Sequence, residues 1–594
     1  MNILLTAINA KYIHSNLAVY SLRACAGEYR DAVELAEYTI NNQKDYILEE
    51  LYKRKPDVLC FSCYIWNIDY VTDIAREYKK LCPSVPIWVG GPEVSYEVEA
   101  FLRENPYIDG VMIGEGEDTF RELCGYYAHK RKLSDIAGIA FRKNSTGNST
   151  SNRTSVNNAG CKADEIVFTS PRPIKNMSEI PFCYDTLDDF SNRIIYYESS
   201  RGCPFSCSYC LSSVDKTLRF RNTEIVKREL KFFIDQKVPQ IKFVDRTFNC
   251  NHAHAMELWR FIKANDNGVT NFHFEISADL LNQEELELIS DMRPGLIQLE
   301  IGVQSTNEVT IKEIHRTMKL ERLKEVVRLI RSGNNIHEHL DLIAGLPYEN
   351  YDSFGRSFDE IYELKPNQLQ LGFLKVLKGS YMFEHAAEYG IVYHDKPPYE
   401  VMSTKWLSFD DVIKIKRVEE MLEVYYNSGQ FEITMKLMEC IFDSTFEFFQ
   451  ELGDFYEANG YFGMSHSRIR RCEILLEFLA LYLHGCDSDD TDFDENAQLY
   501  SMIQESLIFD LYYRENCKSR PRWATDIGSF KHMTHAYCKN GKLSHVEPFH
   551  YIFPDKHTRK LDELPKYHKE PVWALFHYDM RDPLDHQAMV EYIE

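Results

Sequence analysis

The sequence predicts an α/β protein with three parts: a doubly wound, Rossmann-like domain over residues 1–142, a partial (β/α)6 barrel over 176–404 and a helical domain over 405–594. Three observations predict this fold class. Apolar runs alternate with helical stretches near the N-terminus, the alternation returns after a polar segment, and the pattern then becomes helical. At 594 residues the chain is also too long for one hydrophobic core, so several domains are expected.

Four apolar runs in the first domain are predicted to be buried parallel strands: NILLTAI, DVLCFSCYI, PIWVGG and DGVMIG. Between the second and third runs, VTDIAREYKKLC carries its apolar residues on one helix face. Ligands of such sheets bind at the carboxyl ends of the strands, where Ser62 and the segments GGPE and GEGE lie. Cys60 and Cys63 sit inside an apolar strand, and we interpret them as core residues.

Residues 143–175 are predicted to be a flexible insertion or linker, because the segment up to residue 165 is rich in Ser, Thr, Asn and Gly. Beyond it, six apolar segments alternate with helical stretches: IIYYESS, QIKFVDRTF, NFHFEISA, LIQLEIGVQS, HEHLDLIAGLP and NQLQLGFLKVL. One of the helical stretches, RLKEVVRLIRSG, is predicted to close at Gly333. Six such units suggest a partial barrel with its functional groups at the carboxyl ends of the strands.

The C-terminal part is predicted to be helical from about residue 405. Its apolar residues recur at the spacing of one helix face, as at Val418, Met421, Leu422 and Tyr425.

Composition restricts the class of protein. The formal charge of −23 disfavours a nucleic-acid substrate, because phosphate backbones bind basic surfaces. No apolar run is long enough to span a bilayer, and the N-terminal residues lack a signal peptide's cleavage site. We therefore expect a cytoplasmic protein without a membrane span, in which most of the 16 cysteines stay reduced.

Three cysteines, Cys203, Cys207 and Cys210, form a C-x3-C-x2-C pattern in the loop RGCPFSCSYC. A structural zinc site needs a fourth protein ligand, which Cys183 or Cys250 could supply. Three core cysteines are a poorer interpretation, because the loop is rich in Gly, Pro and Ser. A [4Fe–4S] cluster held by three thiolates would leave one iron open for a small molecule.

This loop, placed just after the first strand of a (βα)6 barrel, resembles that of the radical S-adenosylmethionine (SAM) superfamily. The resemblance implies that SAM chelates the open iron and yields a 5′-deoxyadenosyl radical. It extends through the segments FVDRTFN, FEISADLL, EIGVQS and LDLIAGLP. The SAM-binding residues that it implies are Tyr209, Asp245, Glu275, Ser277, Glu300, Gln304 and Gly345. For Glu300, a salt bridge to a neighbouring Lys or Arg is the structural alternative.

A doubly wound domain directly before such a barrel resembles the cobalamin-binding class, which includes methyltransferases and the anaerobic magnesium-protoporphyrin ester cyclase. The cobalamin-binding residues that the resemblance implies are Asn9, Lys11, His14, Ser62, Gly90, Gly91, Glu93, Gly114, Glu115 and Gly116. The cobalt-ligating pattern D-x-H-x-x-G is missing around His14. Cobalamin is therefore expected base-off without a histidine ligand, and a purely structural His14 stays an open alternative.

The resemblance implies an oxygen-sensitive, anaerobic enzyme that transfers a methyl group from cobalamin to an unactivated carbon of a small-molecule or unknown substrate. It also implies an external electron donor such as flavodoxin or ferredoxin. Residues 405–594 resemble an uncharacterised helical extension found on a subgroup of these proteins. Three alternatives stay open: a radical cyclisation or rearrangement with cobalamin, a radical SAM enzyme with an empty N-terminal domain, and a non-catalytic metal-binding or electron-carrier protein.

Overall fold

The computed structural model describes residues 1–143, 165–214, 216–485, 492–528, 533, 537–538, 543–554, 558, 561 and 563–593. Most of the predicted insertion, residues 144–164, lies outside the described residues. The chain forms two compact units. The first comprises Met1–Leu288, Ile314–Thr317 and Leu374–Met402, and the second comprises Ile289–Glu313, Met318–Phe373 and Ser403–Glu594. The region predicted as a barrel thus contributes to both units.

A seven-stranded sheet forms the N-terminal part of the first unit. Its strands are β1 (Ile3–Asn9), β2 (Val33–Thr39), β3 (Val58–Ser62), β4 (Ile87–Gly90), β5 (Gly110–Met112), β6 (Ile139–Arg142) and β7 (Ile166–Phe168), in the order β2-β1-β3-β4-β5-β6-β7. The first five strands are parallel and the last two are antiparallel. The helices are α1 (Leu17–Cys25), α2 (Lys44–Arg54), α3 (Ile68–Leu81), α4 (Val98–Glu104) and α5 (Glu117–Tyr127).

This sheet has a hydrophobic core on each face. Along β1, Leu4 and Ile8 belong to one core, whereas Ile3 and Leu5 belong to the other. Burial on both faces explains why its strands are continuously apolar. The four predicted strands are confirmed, and the doubly wound order agrees with the predicted fold class. The strand β2 was missed because VELAEYT interrupts its apolar residues with two glutamates.

The rest of the first unit begins with three parallel strands, β8 (Ile195–Tyr197), β11 (Gln240–Phe243) and β12 (Asn271–Ile276), and an antiparallel ribbon of β9 (Ser200–Arg201) and β10 (Arg219–Phe220). The helices here are α6 (Thr223–Asp235), α7 (His252–Ala264) and α8 (Gln283–Ser290), which ends in the second unit.

In the second unit, β13 (Ile297–Gln304), β14 (His337–Ala344) and β15 (Gln368–Phe373) are parallel. Between these strands in the chain lie the helices α9 (Glu308–Glu313), α10 (Leu320–Gly333) and α11 (Tyr351–Tyr362). All six predicted strands are therefore confirmed, with helices between them. The helix α10 ends at Gly333, as predicted, and Asn334 directly after it has the left-handed conformation.

The chain returns to the first unit over Leu374–Met402, which contains α12 (Tyr381–Glu384) and β16 (Val392–Tyr393) and leads into β17 (Val401–Ser403). Five helices follow in the second unit: α13 (Phe409–Leu422), α14 (Glu432–Ile441), α15 (Thr445–Ala458), α16 (Arg468–Gly485) and α17 (Asp492–Arg514). They confirm the predicted helical region. None of the described helices is long and apolar enough to cross a membrane.

An antiparallel sheet that the sequence did not predict follows the last helix. Its strands are β18 (Ser544–Tyr551), β19 (Tyr567–Arg581) and β20 (Ala588–Ile593). The C-terminal region is therefore helical first and β-structured at its end.

Candidate active site

A cavity of about 720 Å³ lies in the first unit, at the carboxyl ends of its parallel strands. One wall comes from the seven-stranded sheet and contains seven of the ten residues expected to bind cobalamin: Asn9, His14, Ser62, Gly90, Gly91, Gly114 and Gly116. The facing wall comes from the strands and loops after residue 195 and contains Tyr196, Glu198, Arg201, Gly202, Lys242, Arg246 and Glu275. One cavity thus joins the predicted cobalamin loops to the start of the cysteine loop.

The other three expected cobalamin residues lie outside the cavity lining. Lys11 is exposed. Glu93 accepts a hydrogen bond from the Tyr399 hydroxyl, and burial raises the pKa of its carboxyl group although the Tyr399 bond opposes this. Glu115 is ion-paired with two arginines and accepts a backbone hydrogen bond from Lys175.

Two glycines of the first wall have a backbone conformation that other residues rarely adopt. Gly91 has a φ of +122°, and a Cβ built on it would lie 2.3 Å from the Cys63 carbonyl oxygen. Gly114 has a φ of +74°, with no heavy atom within 4 Å of its built Cβ position. Positive φ favours glycine at both positions, and the backbone at Gly114 borders open space. This wall fits a bulky planar group such as a corrin.

His14 is half-buried in the cavity wall. Its Nδ1 atom lies 2.6 Å from the Tyr196 hydroxyl oxygen. Burial, together with the charges of Lys11 and Lys242, lowers the pKa of the imidazole, so the neutral form is favoured. One ring nitrogen is therefore already engaged within the protein.

The cysteine loop starts and ends at the ribbon of β9 and β10, in which Arg201 pairs with Arg219. Directly after β9, Gly202 has a φ of +93°, and a built Cβ would lie 2.5 Å from the Thr217 carbonyl oxygen. No side chain fits there, so the loop depends on this glycine. The three following cysteines, Cys203, Cys207 and Cys210, carry free thiols.

The middle of the loop is held by two segments that return to the first unit. The Ser208 amide donates to the Ile314 carbonyl at 2.9 Å, and the Ser208 carbonyl accepts from the Met382 amide at 2.9 Å. The Arg316 guanidinium lies 3.2 Å from the Tyr209 hydroxyl and 3.9 Å from the Cys207 sulfur. Burial raises the pKa of the Cys207 thiol, and Arg316 opposes that rise. The sequence interpretation did not include Arg316.

Among the described cysteines, none completes a four-ligand zinc site with these three. Burial raises the pKa of Cys250 to about 11, and the neighbouring Cys203 adds to the rise. Cys183 instead has Glu229 and Cys25 among the neighbours that act on its pKa. Across the described residues, no group of three or more His, Cys, Asp or Glu side chains could hold a single metal ion. In a cubane cluster each thiolate binds a different iron, so the donor set of three separate thiols on one irregular loop fits a cluster better than a zinc ion.

Asp245 is hydrogen-bonded to the residues that precede the cysteine loop. It is fully buried and accepts hydrogen bonds from the Ser199 amide at 2.8 Å, the Ser199 hydroxyl at 2.6 Å and the Ser200 hydroxyl at 2.5 Å. Burial raises its pKa to about 7, although these donors oppose the rise. His254 extends the network, with its Nε2 3.0 Å from the Ser199 hydroxyl.

The remaining expected SAM residues of the first unit lie near the end of β12, with Glu275 inside the strand and Ser277 directly after it. Glu275 lines the cavity. The backbone of Ser277 exchanges two hydrogen bonds with the Asn249 side chain, and its hydroxyl donates to Asp279 at 2.7 Å. Asn249, which the sequence interpretation missed, thus fixes the end of β12.

In the second unit, Glu300, Gln304 and Gly345 lie on β13 and just after β14. Gln304 has a φ of +77° beside an irregularity in the strand pairing, and Gly345 has a φ of +88°. A non-glycine residue at such a φ is strained, and strain of this kind clusters at functional sites. Glu349 is buried nearby and accepts a 2.6 Å hydrogen bond from Ser305, directly after Gln304.

Comparison with protein families matches three regions of the chain. Residues 3–124 match a B12-binding domain, and residues 197–361 match the radical SAM superfamily. The chain combines a B12-binding domain with a radical SAM domain. The cofactors that these domains imply are cobalamin, SAM and a [4Fe–4S] cluster, as expected from the sequence. Residues 387–589 match a family described only as a protein of unknown function, DUF4080.

Curated relatives match more than half of this chain. The cobalamin-dependent radical SAM methyltransferase TokK of Streptomyces tokunonensis is 27% identical over 57% of this chain and 49% of its own length. The anaerobic magnesium-protoporphyrin IX monomethyl ester cyclase of Rubrivivax gelatinosus is 22% identical over 58% of this chain and 60% of its own length. The chain spans about half the length of the first of these relatives.

Among solved structures, the cobalamin-dependent SAM radical enzyme OxsB, with aqua-cobalamin and SAM bound, has a similar fold. Its TM-score to this chain is 0.57 at 16% identity, over 86% of this chain and 80% of OxsB. At this identity the likeness shows the fold alone.

Proposed function

We propose that this B12-binding radical SAM protein is an enzyme that transfers a methyl group to an unactivated carbon of a small molecule. The cluster and SAM supply a 5′-deoxyadenosyl radical, and cobalamin supplies the methyl group. An unactivated carbon is not a nucleophile, so a radical is needed where ordinary methyl transfer from SAM fails. The substrate's identity is left to experiment.

The shared cavity carries this proposal. Its first wall presents Gly90, Gly91 and Gly114, where a corrin can approach the backbone, and its second wall contains Gly202, directly before Cys203. Cobalamin and SAM would therefore both border this cavity of about 720 Å³. This arrangement argues against an N-terminal domain without a ligand and against a simple electron carrier.

The chain's own residues hold this arrangement in place. Cys203, Cys207 and Cys210 would bind three irons, and Arg316 fixes the loop between the last two. Asp245, just after β11, ties that strand's end to Ser199 and Ser200, which precede the cysteine loop. An external one-electron donor such as flavodoxin or ferredoxin would reduce the cluster.

The second candidate is a radical cyclisation or rearrangement that uses cobalamin. The similarity to a magnesium-protoporphyrin ester cyclase favours keeping this candidate, because it covers 58% of this chain. The two candidates differ in the fate of the methyl group of SAM.

The test is an anaerobic reaction of reconstituted protein with dithionite, hydroxocobalamin, SAM labelled in its methyl group with deuterium, and a small-molecule extract. Methyl transfer predicts 5′-deoxyadenosine together with a product that carries the labelled methyl group. The control is the variant in which Cys203, Cys207 and Cys210 are all alanine, which should lose the cluster and both products. 5′-Deoxyadenosine with an unlabelled, mass-shifted product would favour cyclisation or rearrangement. A wild-type protein that takes up no iron would refute both candidates.

A further inference from the structure

Arg201 connects the B12-binding domain to the strand that leads into the cysteine loop. Its guanidinium lies 2.9 Å from Glu117 and 3.3 Å from Glu115, both on the loop at the carboxyl end of β5. On its own side of the cavity it holds Glu198 at 2.7 Å. One arginine thus bonds three carboxylates from two parts of the first unit.

A second arginine closes this network. Arg219 faces Arg201 across the ribbon and binds the same oxygen of Glu115 at 2.6 Å. Arg219 also donates to the Lys175 carbonyl at 3.0 Å, while the Lys175 amide donates to Glu115. Both strands of the ribbon that frames the cysteine loop are therefore fixed to one carboxylate of the B12-binding domain.

On each side of the cavity, a glycine that lines the cavity directly neighbours a residue of this network. Gly116 lines the cavity and directly precedes Glu117, which is buried and opens α5. Gly202 also lines the cavity, directly follows Arg201 and directly precedes Cys203. Any movement of the Gly114–Gly116 loop therefore shifts the anions that hold Arg201.

The ion pairs of the network stabilise the charged forms of Arg201 and Glu115. Burial works against the charged guanidinium, but Glu198 and Glu117 outweigh it and raise the pKa of Arg201. Burial likewise works against ionised Glu115, but Arg219 and Arg201 outweigh it and lower its pKa. A pair of buried charges cannot lose one member without leaving the other uncompensated. The two sides are therefore expected to move together rather than separately.

We propose that Arg201 is a positioning residue that couples cobalamin binding to the geometry of the cysteine loop, so that each cofactor strengthens the binding of the other. This inference rests on the proposed function, because it requires both cofactors to bind. Coupling of this kind is reciprocal, and a typical factor is about fivefold or more.

The experiment measures the dissociation constant of hydroxocobalamin for the full-length chain with and without its reconstituted [4Fe–4S] cluster. In the wild type we expect cluster loading to tighten cobalamin binding about fivefold or more. In Arg201→Gln this ratio should fall towards one, because the guanidinium that binds Glu115 and Glu117 is lost from the start of the cysteine loop. Taking the ratio cancels any direct contact between Arg201 and cobalamin, which a simple loss of affinity would not separate.

Two further variants make the result decisive. Arg103→Gln removes an arginine from the surface of α4, where it pairs only locally with Glu99, and should keep the wild-type ratio. Glu115→Gln combined with Glu117→Gln removes both carboxylates of the B12-binding domain from the network without altering the cysteine loop, so this double variant decides the question if Arg201→Gln does not fold. A wild-type ratio of one, or an unchanged ratio in the variant that decides, overturns the coupling. A wild-type protein that binds neither cofactor refutes the proposed function itself.

Discussion

At the scale of single residues, His14 has the most specific consequence. Its Nδ1 is 2.6 Å from the Tyr196 hydroxyl, and the cobalt-ligating pattern D-x-H-x-x-G is missing around it, so we do not expect it to bind the cobalt ion. We expect His14→Ala to leave the absorption spectrum of bound hydroxocobalamin unchanged. Free hydroxocobalamin with added imidazole provides the reference spectrum for a nitrogen ligand. A wild-type spectrum that matches this reference and changes in the variant would make His14 the ligand.

Gly202 gives a second prediction at this scale. Gly202→Ala would place a methyl group 2.5 Å from the Thr217 carbonyl oxygen at a φ of +93°. We expect a loss of about 1–3 kcal/mol in the free energy of unfolding, and less iron bound after reconstitution. Urea denaturation and iron content measure the two effects.

The control for this prediction is Gly268→Ala. Gly268 also has a positive φ, +75°, but no heavy atom lies within 4 Å of its built Cβ. It should therefore show the smaller cost of backbone strain alone and keep its iron. Equal losses in both variants would mean that the contact with Thr217 is unimportant.

Residue types in a spaced pattern could be predicted from the sequence, but their partners could not. The cysteine trio and Gly91 stand out because local sequence determines a loop and a turn. Arg201 lies directly before the trio, and the acidic GEGE segment is visible too, yet their pairing spans 84 positions of the chain. Arg316 reaches Cys207 only because a distant segment returns to the loop.

At the scale of elements, Asp510 of α17 caps the first turn of α14. It accepts hydrogen bonds from the Ile433 and Thr434 amides at 2.9 Å each and from the Thr434 hydroxyl at 2.7 Å. Burial raises the pKa of Asp510 to about 7 although these donors oppose the rise. Its pKa in the unfolded chain is about 3.9, so the folded state binds the extra proton between these values.

The contribution of Asp510 to stability is therefore fully present below about pH 4 and is lost as the pH rises through about 7. We expect the free energy of unfolding of the wild type to fall relative to that of Asp510→Asn between about pH 4 and pH 7, with a slope of up to about 1.4 kcal/mol per pH unit. Chemical denaturation at several pH values measures it. Asp454→Asn, on the exposed face of α15, is the control, and parallel pH profiles for the wild type and Asp510→Asn would contradict the prediction.

Strands flanked by clear helical patterns were predicted even where they alternate polar with apolar residues, as β14 and β15 do. Without that context, β18, which contains Pro548 in SHVEPFHY, and β2, which carries two glutamates, were missed. Such strands gain their stability from neighbours that are distant in sequence, which a local pattern does not reveal.

At the scale of the whole molecule, Tyr399 joins two segments of the first unit that are distant in sequence, Leu374–Met402 and Met1–Leu288. Its hydroxyl donates to Glu93, whose carboxylate is largely buried. We expect Tyr399→Phe to cost about 1–3 kcal/mol in the free energy of unfolding, because the buried carboxylate loses its donor. The control is Tyr393→Phe on β16. A denaturation midpoint equal to that of the control would contradict this.

The same segment restricts how this protein can be recombined. The family of unknown function is matched from residue 387 onwards, whereas Leu374–Met402 belongs to the first compact unit. A crossover at that family boundary would give Met382 to one parent and Tyr399 to the other, and would separate Tyr399 from its own partner Glu93. Domain exchange between homologues should therefore succeed only when the junction is moved beyond residue 402.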